Sequence, residues 1–374
     1  MHSRLKGVVA TLAALGAAAA LAACGSSSAS SSGAAAGGGA SSASSSSSAA
    51  ASTGASSAAK LPFSTVAIAT PAKTDDYGWN AQGVNGINQA ASSFGLKVKL
   101  VQDIGYNNTT AVLRQLALTK PGLIIAHASG YDTNAQRVAQ QYHVPMITYD
   151  IPTLLSKGTL SNITTSSQQG AYLAGILAAD MTKTKKVGVI ISASDTNWYE
   201  MTGGFAAGVH SVSPSTQIVF GQIGPASYDD AAGGKRVATS VIASGADVIF
   251  AMGDDASFGY LQAIGTAKAG HKVWYIGDIG DMTPIDKKGV LLSSVLWNFT
   301  GAYKQFIKEI DAGTFGQQGY DLTLANGGVS LLKTKYIPAS VWTEIQAAQK
   351  KIVAGQINVP NYSKISQVKA ALGG

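Results

Sequence analysis

The chain has 374 residues, with 27 Lys and Arg against 20 Asp and Glu, a formal net charge of +7 and one cysteine. The positive charge is spread thinly, with no run of five or more Lys or Arg, so the basic stripe of a nucleic-acid binder is missing and no nucleic-acid partner is expected. One cysteine excludes a disulfide framework within the chain, and the length exceeds what one comfortable core fills.

The first stretch reads as a targeting segment. Arg4 and Lys6 precede an apolar run from Gly7 to Ala20, too short to span a bilayer as a stable helix. This pattern predicts a signal peptide over residues 1–23. The ending Leu21-Ala22-Ala23-Cys24 resembles the bacterial lipobox, which implies lipid attached at Cys24. From 24 to 59 the chain is almost entirely Ser, Ala and Gly, and it cannot bury enough apolar surface to offset the entropy of ordering. A flexible tether of this length reaches roughly 30–35 Å. A lipid-anchored protein on the extracytoplasmic face of the cell membrane is therefore expected. Without Arg4 and Lys6, 25 Lys and Arg face 20 Asp and Glu, a mildly basic balance.

From residue 60 onward, short apolar runs alternate with amphipathic segments. Strands are predicted at Ser64–Ala69, Lys97–Val101, Gly122–Ala128 and Pro145–Asp150, with helices at Asn80–Phe94, Thr109–Thr119 and Asp132–Tyr142. A second round opens with a helix at Gln168–Met181. It continues with strands at Lys186–Ser192, Gln217–Gln222, Asp247–Met252 and Lys272–Asp278, and helices at Met201–Val212, Asp230–Ser244 and Ser257–Ala269. One more strand (Gly289–Trp297), a helix (Thr300–Ala312), a short strand (Gly327–Leu332) and a last helix (Pro338–Ala354) complete the chain. Continuous β-branched runs separated by helix-length segments indicate parallel sheets covered on both faces.

This pattern predicts an α/β protein of two doubly wound, parallel-sheet lobes with several hinge crossings and a cleft between them. Lobe one is expected to hold residues 60–164 plus about 286–312, and lobe two 165–285 plus about 313–360. Open parallel sheets bind ligands beyond the carboxyl ends of their strands, and the loops there carry Asp, Asn, Ser and aromatic residues. In lobe one they present Asp76, Trp79, Asn80, Ser129, Tyr131 and Asp150. In lobe two they present Trp198, Asp254, Phe258 and Asp278. An indole stacks on a ring, Asn offers a donor and an acceptor, and Asp accepts from hydroxyls or ring N–H groups. Structural roles fit the same residues one by one. Trp79 also suits a core cap, Asn80 an N-cap, and Asp75 or Asp76 a favourable charge at the same helix start. Trp198, Phe258 and Tyr131 also suit ordinary packing, Asp278 a turn, and Asp254 with Asp255 a solvated loop.

The segments DDYGWN, Gln168–Ile190, Gly203–Val209, Ser244–Gly253 and Tyr275–Met282 resemble, in order, the landmarks of the basic membrane protein family. Its members are substrate-binding lipoproteins of ABC importers, typified by a purine nucleoside receptor. The resemblance runs from about Ser64 to Pro338, and its most specific piece is the Gly170–Gly188 pattern. It implies a type I periplasmic-binding-protein fold and capture of a purine nucleoside or base. Trp79 then stands where an aromatic stacks on the base, Asn80 where an amide bonds it, and Asp150 and Asp278 where carboxylates reach the ligand. Trp297 departs from the pattern, standing where the family often carries a ligand-reaching lysine; a base without its sugar, or another ring-bearing ligand, fits that change. The resemblance also implies an ABC permease as partner, and the chain is expected to act as a monomer.

Rival classes are weaker. The five histidines show no HxxxH or HExxH spacing, and neither a Gly-x-Ser-x-Gly elbow nor a P-loop occurs. No enzyme, metal site or cofactor is expected. A transcription regulator of the same architecture would carry a helix-turn-helix before the first strand, where the signal segment and tether stand instead. A sugar-binding protein of the same fold and a ligand sensor without a permease remain open alternatives.

Overall fold

The computed structural model describes residues 61–372. The expected signal segment, Cys24 and the Ser/Ala/Gly stretch lie outside the described residues.

The first lobe starts β1 (Thr65–Ala69), α1 (Trp79–Ser93), β2 (Lys97–Val101), α2 (Thr109–Leu118), β3 (Leu123–Ala126), α3 (Asp132–Tyr142), β4 (Met146–Tyr149) and β5 (Leu160–Thr165). The chain then builds α4 (Ser167–Met181), β6 (Lys186–Ile191), α5 (Thr196–Val212), β7 (Gln217–Gln222), α6 (Ala231–Ala243) and β8 (Val248–Met252). It continues with α7 (Ala256–Gly265), β9 (Trp274–Ile279), β10 (Leu291–Trp297), α8 (Thr300–Asp311), β11 (Tyr320–Leu322), β12 (Val329–Leu331), α9 (Ala339–Val353) and α10 (Ile365–Ala371). Strands β1, β3, β4 and β8 are buried along nearly their whole length, which is why they read as continuous apolar runs rather than alternating ones.

Two six-stranded sheets result, ordered β11-β5-β4-β3-β1-β2 and β12-β10-β9-β8-β6-β7. Every pairing is parallel except β10 with β12. This is the two-lobed α/β architecture that the periodicity predicts. The strand order reverses between β1 and β3 in one sheet and between β6 and β8 in the other. Crevices at such switch points, beyond the carboxyl ends of the strands, are where open sheets hold ligands.

The lobe boundaries differ from the expected ones. Strand β10, expected in lobe one, pairs in parallel with β9 and lies in the second sheet. The crossing comes after it: α8 packs on α1 in the first lobe, and β11 extends the first sheet beside β5. The chain returns once more to place β12 and α9 in the second lobe, where α9 packs on α4. A strand leaving β9 finds its open parallel neighbour in the same sheet, so the connection closes there before the chain crosses. Among the described residues no helix is long and apolar enough to cross a membrane.

Candidate functional site

A cavity opens between the two switch points, where open sheets hold their ligands. The first lobe supplies Pro71 and Trp79 after β1, Tyr106 after β2 and Ser129 after β3. The second lobe supplies Asp195, Asn197 and Trp198 after β6, Tyr228 after β7 and Asp254 after β8. Ile279 and Trp297, the last residues of β9 and β10, close the wall.

Trp79 opens α1 and is half-buried. Its indole lies parallel to the His127 imidazole, with ring centroids 4.3 Å apart and planes 15° apart. The edges of Tyr149, Phe299 and Trp297 surround it. The two residues also exchange hydrogen bonds. Trp79 Nε1 donates to the His127 carbonyl at 3.1 Å, and His127 Nε2 lies 2.8 Å from the Trp79 carbonyl. A carbonyl only accepts, so Nε2 carries the imidazole proton and Nδ1 accepts from the Tyr149 hydroxyl at 2.7 Å. Tyr149 in turn accepts from Tyr303 at 2.7 Å. Burial holds the His127 pKa down at about 3, so the ring is neutral. Trp79 thus presents a clamped aromatic surface to the cavity. His127 and Tyr303 fit behind it because α1 carries Gly83 and Gly86 there; a Cβ on Gly83 would collide with the imidazole.

Asp76 and Asn80 do not reach the cavity. Asp76 accepts from the Asn80 amide at 2.8 Å, the Asn80 side chain at 2.9 Å and the Ala81 amide at 2.9 Å. The carboxylate thus satisfies orphan donors at the start of α1. Asn80 is buried beside it, with Oδ1 unpartnered. Tyr131 is also behind the wall, donating to the Gly105 carbonyl and packing edge-on to Tyr106 at 5.4 Å. Phe258 does not line the cavity. It sits in the first turn of α7 and lines a separate outer groove with Leu261 and Ile285, because Ala256, Ser257 and Tyr260 are the residues α7 buries.

Asp150 follows β4 in a left-handed conformation, φ 66°. Its carboxylate accepts from Ser129 Oγ and, across the cleft, from Asn197 Nδ2 at 3.2 Å. Burial raises its pKa to about 6. Asp195 caps α5 by accepting from the Asn197 amide at 2.8 Å and also accepts from the Tyr228 hydroxyl at 3.0 Å. Asp278 is buried behind Trp198, whose Nε1 donates to it at 3.3 Å. Burial raises Asp278 to about 8. Asp254 lines the cavity without a side-chain hydrogen bond, and burial together with the charges of Asp76, Asp229, Asp278 and Asp255 pushes its pKa well up. Ile279, a β-branched residue at φ 61°, is held in a conformation that costs about 1–3 kcal/mol, the kind of strain concentrated at functional sites.

Of the residues anticipated from sequence, Trp79, Ser129, Trp198, Asp254 and Trp297 line the cavity. Asp150 and Asp278 stand directly behind the wall, through Ser129, Asn197 and Trp198. Tyr106, Asp195, Asn197 and Tyr228 were not anticipated. The loops after β2 and β7 flank the switch points, and that position was the signal for Tyr106 and Tyr228. Among the described residues no group of His, Cys, Asp and Glu is arranged to hold a metal.

Residues 63–363 match the model of a family described as ABC transporter substrate-binding protein, PnrA-like. The chain belongs to this family. Its members are binding proteins of ABC transporters, not enzymes. Basic membrane protein A2 of Borrelia garinii subsp. bavariensis is 28% identical over 321 residues, covering 81% of this chain and 90% of that protein. The ABC transporter nucleoside-binding protein BmpA of Lactococcus lactis subsp. cremoris is 27% identical over 215 residues, covering 54% of this chain and 60% of that protein. An ABC transporter solute-binding protein from Conexibacter woesei superposes with a TM-score of 0.69 at 22% identity, covering 80% of this chain and all of that one. That similarity speaks to the fold: two parallel-sheet lobes of a periplasmic solute-binding protein.

Proposed function

We propose that this substrate-binding protein captures a flat, ring-bearing ligand, a purine nucleoside or base, between its lobes and delivers it to an ABC permease. The observation that carries the reading is the clamped indole of Trp79 in a cavity whose other walls are aromatic rings and hydrogen-bonding Asp, Asn and Ser side chains. Large aromatic faces satisfy a heterocycle, and the polar groups read its edges. A relative described as a nucleoside-binding protein supports the same ligand class. Ligand landing on Trp79 and held from the other side by Trp198 and Asp254 would stabilise the closed arrangement of the lobes. On this reading the chain works as a monomer on the extracytoplasmic face of the membrane, anchored through Cys24.

The test is a thermal-shift panel of purine nucleosides, free bases and monosaccharides. A true ligand at 100 times its dissociation constant adds roughly 2.7 kcal/mol of stability. Melting temperatures raised by a nucleoside or base and unmoved by sugars are the expected result. A response to sugars alone overturns the assignment.

A further inference from the structure

The cavity is sealed at one end and open at the other. At the deep end Trp198, Ile279 and Trp297 are only 3–4% exposed, whereas Tyr106 in the same wall is 56% exposed. The wall does not stop at Tyr106. Tyr106, Ser129 and Tyr228 also line an outer recess, which Ala226, Ser227, Asp229 and Asp230 complete from the loop after β7. The two hollows thus form one continuous cleft, joined at Tyr106 and Ser129 of the first lobe and Tyr228 of the second. Two of these three residues are pinned. Ser129 is bonded to Asp150, and Tyr228 donates to Asp195 while its ring packs 4.9 Å from that of Trp198. The Tyr106 ring rests edge-on against Tyr131. The charges of Asp254, Asp229 and Asp195, all second-lobe residues, bear on its hydroxyl, so the ring stands where the lobes meet.

The recess offers oxygens to hydroxyl groups. Asp230 is already engaged: it accepts from the Gly233 amide at 2.8 Å as the N-cap of α6 and lies 4.0 Å from Arg236. Asp229 is exposed, and among the described residues neither its carboxylate nor the Ser227 hydroxyl has a hydrogen-bond partner. The charge of Asp229 bears on Asp254 and Asp255 as well as on Tyr106, which sets it beside the junction of the two hollows. Carboxylate and hydroxyl oxygens next to two aromatic rings suit a neutral chain that carries hydroxyls. A phosphate suits them poorly. Among the described residues no Lys or Arg lines either part, so its charge would meet carboxylates without a counter-charge.

We propose that the cleft is a two-part site. The inner part takes a ring against Trp79, and the outer recess takes a neutral, hydroxyl-bearing arm of the same ligand, held by Asp229 and Ser227. The preferred ligand is then longer than a plain nucleoside or base. Only the identity of the inner ring rests on the purine reading above. A recess that served merely as an entrance would gain nothing from such an arm, and this separates the two roles.

Calorimetry on the full chain with matched adenosine derivatives tests it. One pair carries an ethyl or a 2-hydroxyethyl group on N6 and the other pair carries them on the 5′ oxygen, so that either end of the nucleoside can face outward. In one of the pairs the hydroxyethyl compound should bind about fivefold more tightly than its ethyl counterpart, the gain from one added hydrogen bond. Combining Ser227→Ala with Asp229→Ala should bring that ratio to about one while adenosine itself still binds. No preference in either pair, or a preference untouched in the double variant, overturns the two-part site and leaves the purine reading standing. If no adenosine compound binds, the purine reading falls, and ethyl and 2-hydroxyethyl glucoside decide the two-part site by the same ratio. Failure of these to bind as well overturns both.

Discussion

Asn197, in the first turn of α5 in the second lobe, donates its Nδ2 to Asp150 at the end of β4 in the first lobe, 3.2 Å away. Both residues are anchored on their own side. Asp150 holds Ser129, and Asn197 gives its backbone amide to Asp195. The bond therefore joins the two lobes directly behind the cavity wall. Nearby, the lobes touch at Gly280, where an added Cβ would strike the Tyr77 carbonyl. Asn197→Ala removes one hydrogen bond to a carboxylate, about 1.5–3 kcal/mol, and should shift the ligand-free protein toward an open form. Small-angle scattering should show a larger radius of gyration for Asn197→Ala and for Gly280→Ala. Unchanged scattering from both variants would show that neither contact governs closure.

The fit of Gly83 against His127 makes a sharper prediction. Alanine in a helix interior ordinarily stabilises relative to glycine by roughly 0.5–1 kcal/mol. At Gly83 the sign should reverse, because the new methyl occupies the imidazole's place and dislodges Trp79 with it. In a His127→Ala background the clash is gone, and Gly83→Ala should recover its ordinary stabilising sign. Chemical denaturation of the four proteins in this cycle should give a coupling on the order of 1–3 kcal/mol. A coupling near zero would mean that α1 moves aside freely and does not clamp the indole.

Much of the fold was legible because parallel, doubly covered strands write themselves as apolar runs. β1, β3, β6, β8 and β9 are such runs, and the long helices between them are readable by length. β5 was missed because Leu160–Thr165 is rich in Ser, Thr and Asn; Asn162 is buried there through its bond to Thr148. β11 is three residues long and has no period to read. The pattern Gly170–Gly188 proved architectural: Gly175 admits the α5 backbone, and Asp247 gathers Thr182, Lys183 and Thr184 at the end of α4. At the site, strand order located the rim but not which rim residues face inward. Asp76 looked like a ligand carboxylate and is used up by α1. Asp195 and Asn197 flank Trp198 in the stretch that was expected to form a rim loop, and residue type alone did not tell which of the three face inward; α5 in fact begins at Thr196, five residues before its predicted start.

Trp79 has a structural and a binding part that substitutions can separate. Trp79→Phe keeps an aromatic face over His127 but loses the Nε1 bond to its carbonyl. That change should cost about 1 kcal/mol of stability while holding affinity within a few-fold. Trp79→Ala removes a surface packed on His127, Tyr149 and Phe299, and should cost about 3 kcal/mol of stability. Binding should also weaken by about 1–3 kcal/mol, as for other base–aromatic stacks. Denaturation and calorimetry on the same samples give both numbers. Full affinity in Trp79→Ala would show that the indole only supports the wall.

Asp278 makes stability depend on pH in a defined direction. Its pKa stands at about 8 in the folded protein against an ordinary value of 3.8, chiefly through burial. Below that ordinary value both folded and unfolded chains hold the proton, and the difference vanishes. As the pH rises from about 4 to about 8 the unfolded chain releases it first, so stability falls throughout this interval and levels off above it. Asp150, raised to about 6, steepens the lower half, and Glu200, raised to about 7, contributes in the middle. Asp278→Asn keeps an acceptor for Trp198 Nε1 and cannot ionise. The ligand-free variant should therefore lose less of its melting temperature than the parent between pH 6 and 8, with the two converging at lower pH apart from a constant offset. Melts across this range with an identical slope for both proteins would mean that the carboxyl of Asp278 is already ionised when folded, sustained by its bonds from Trp198 and Gly253.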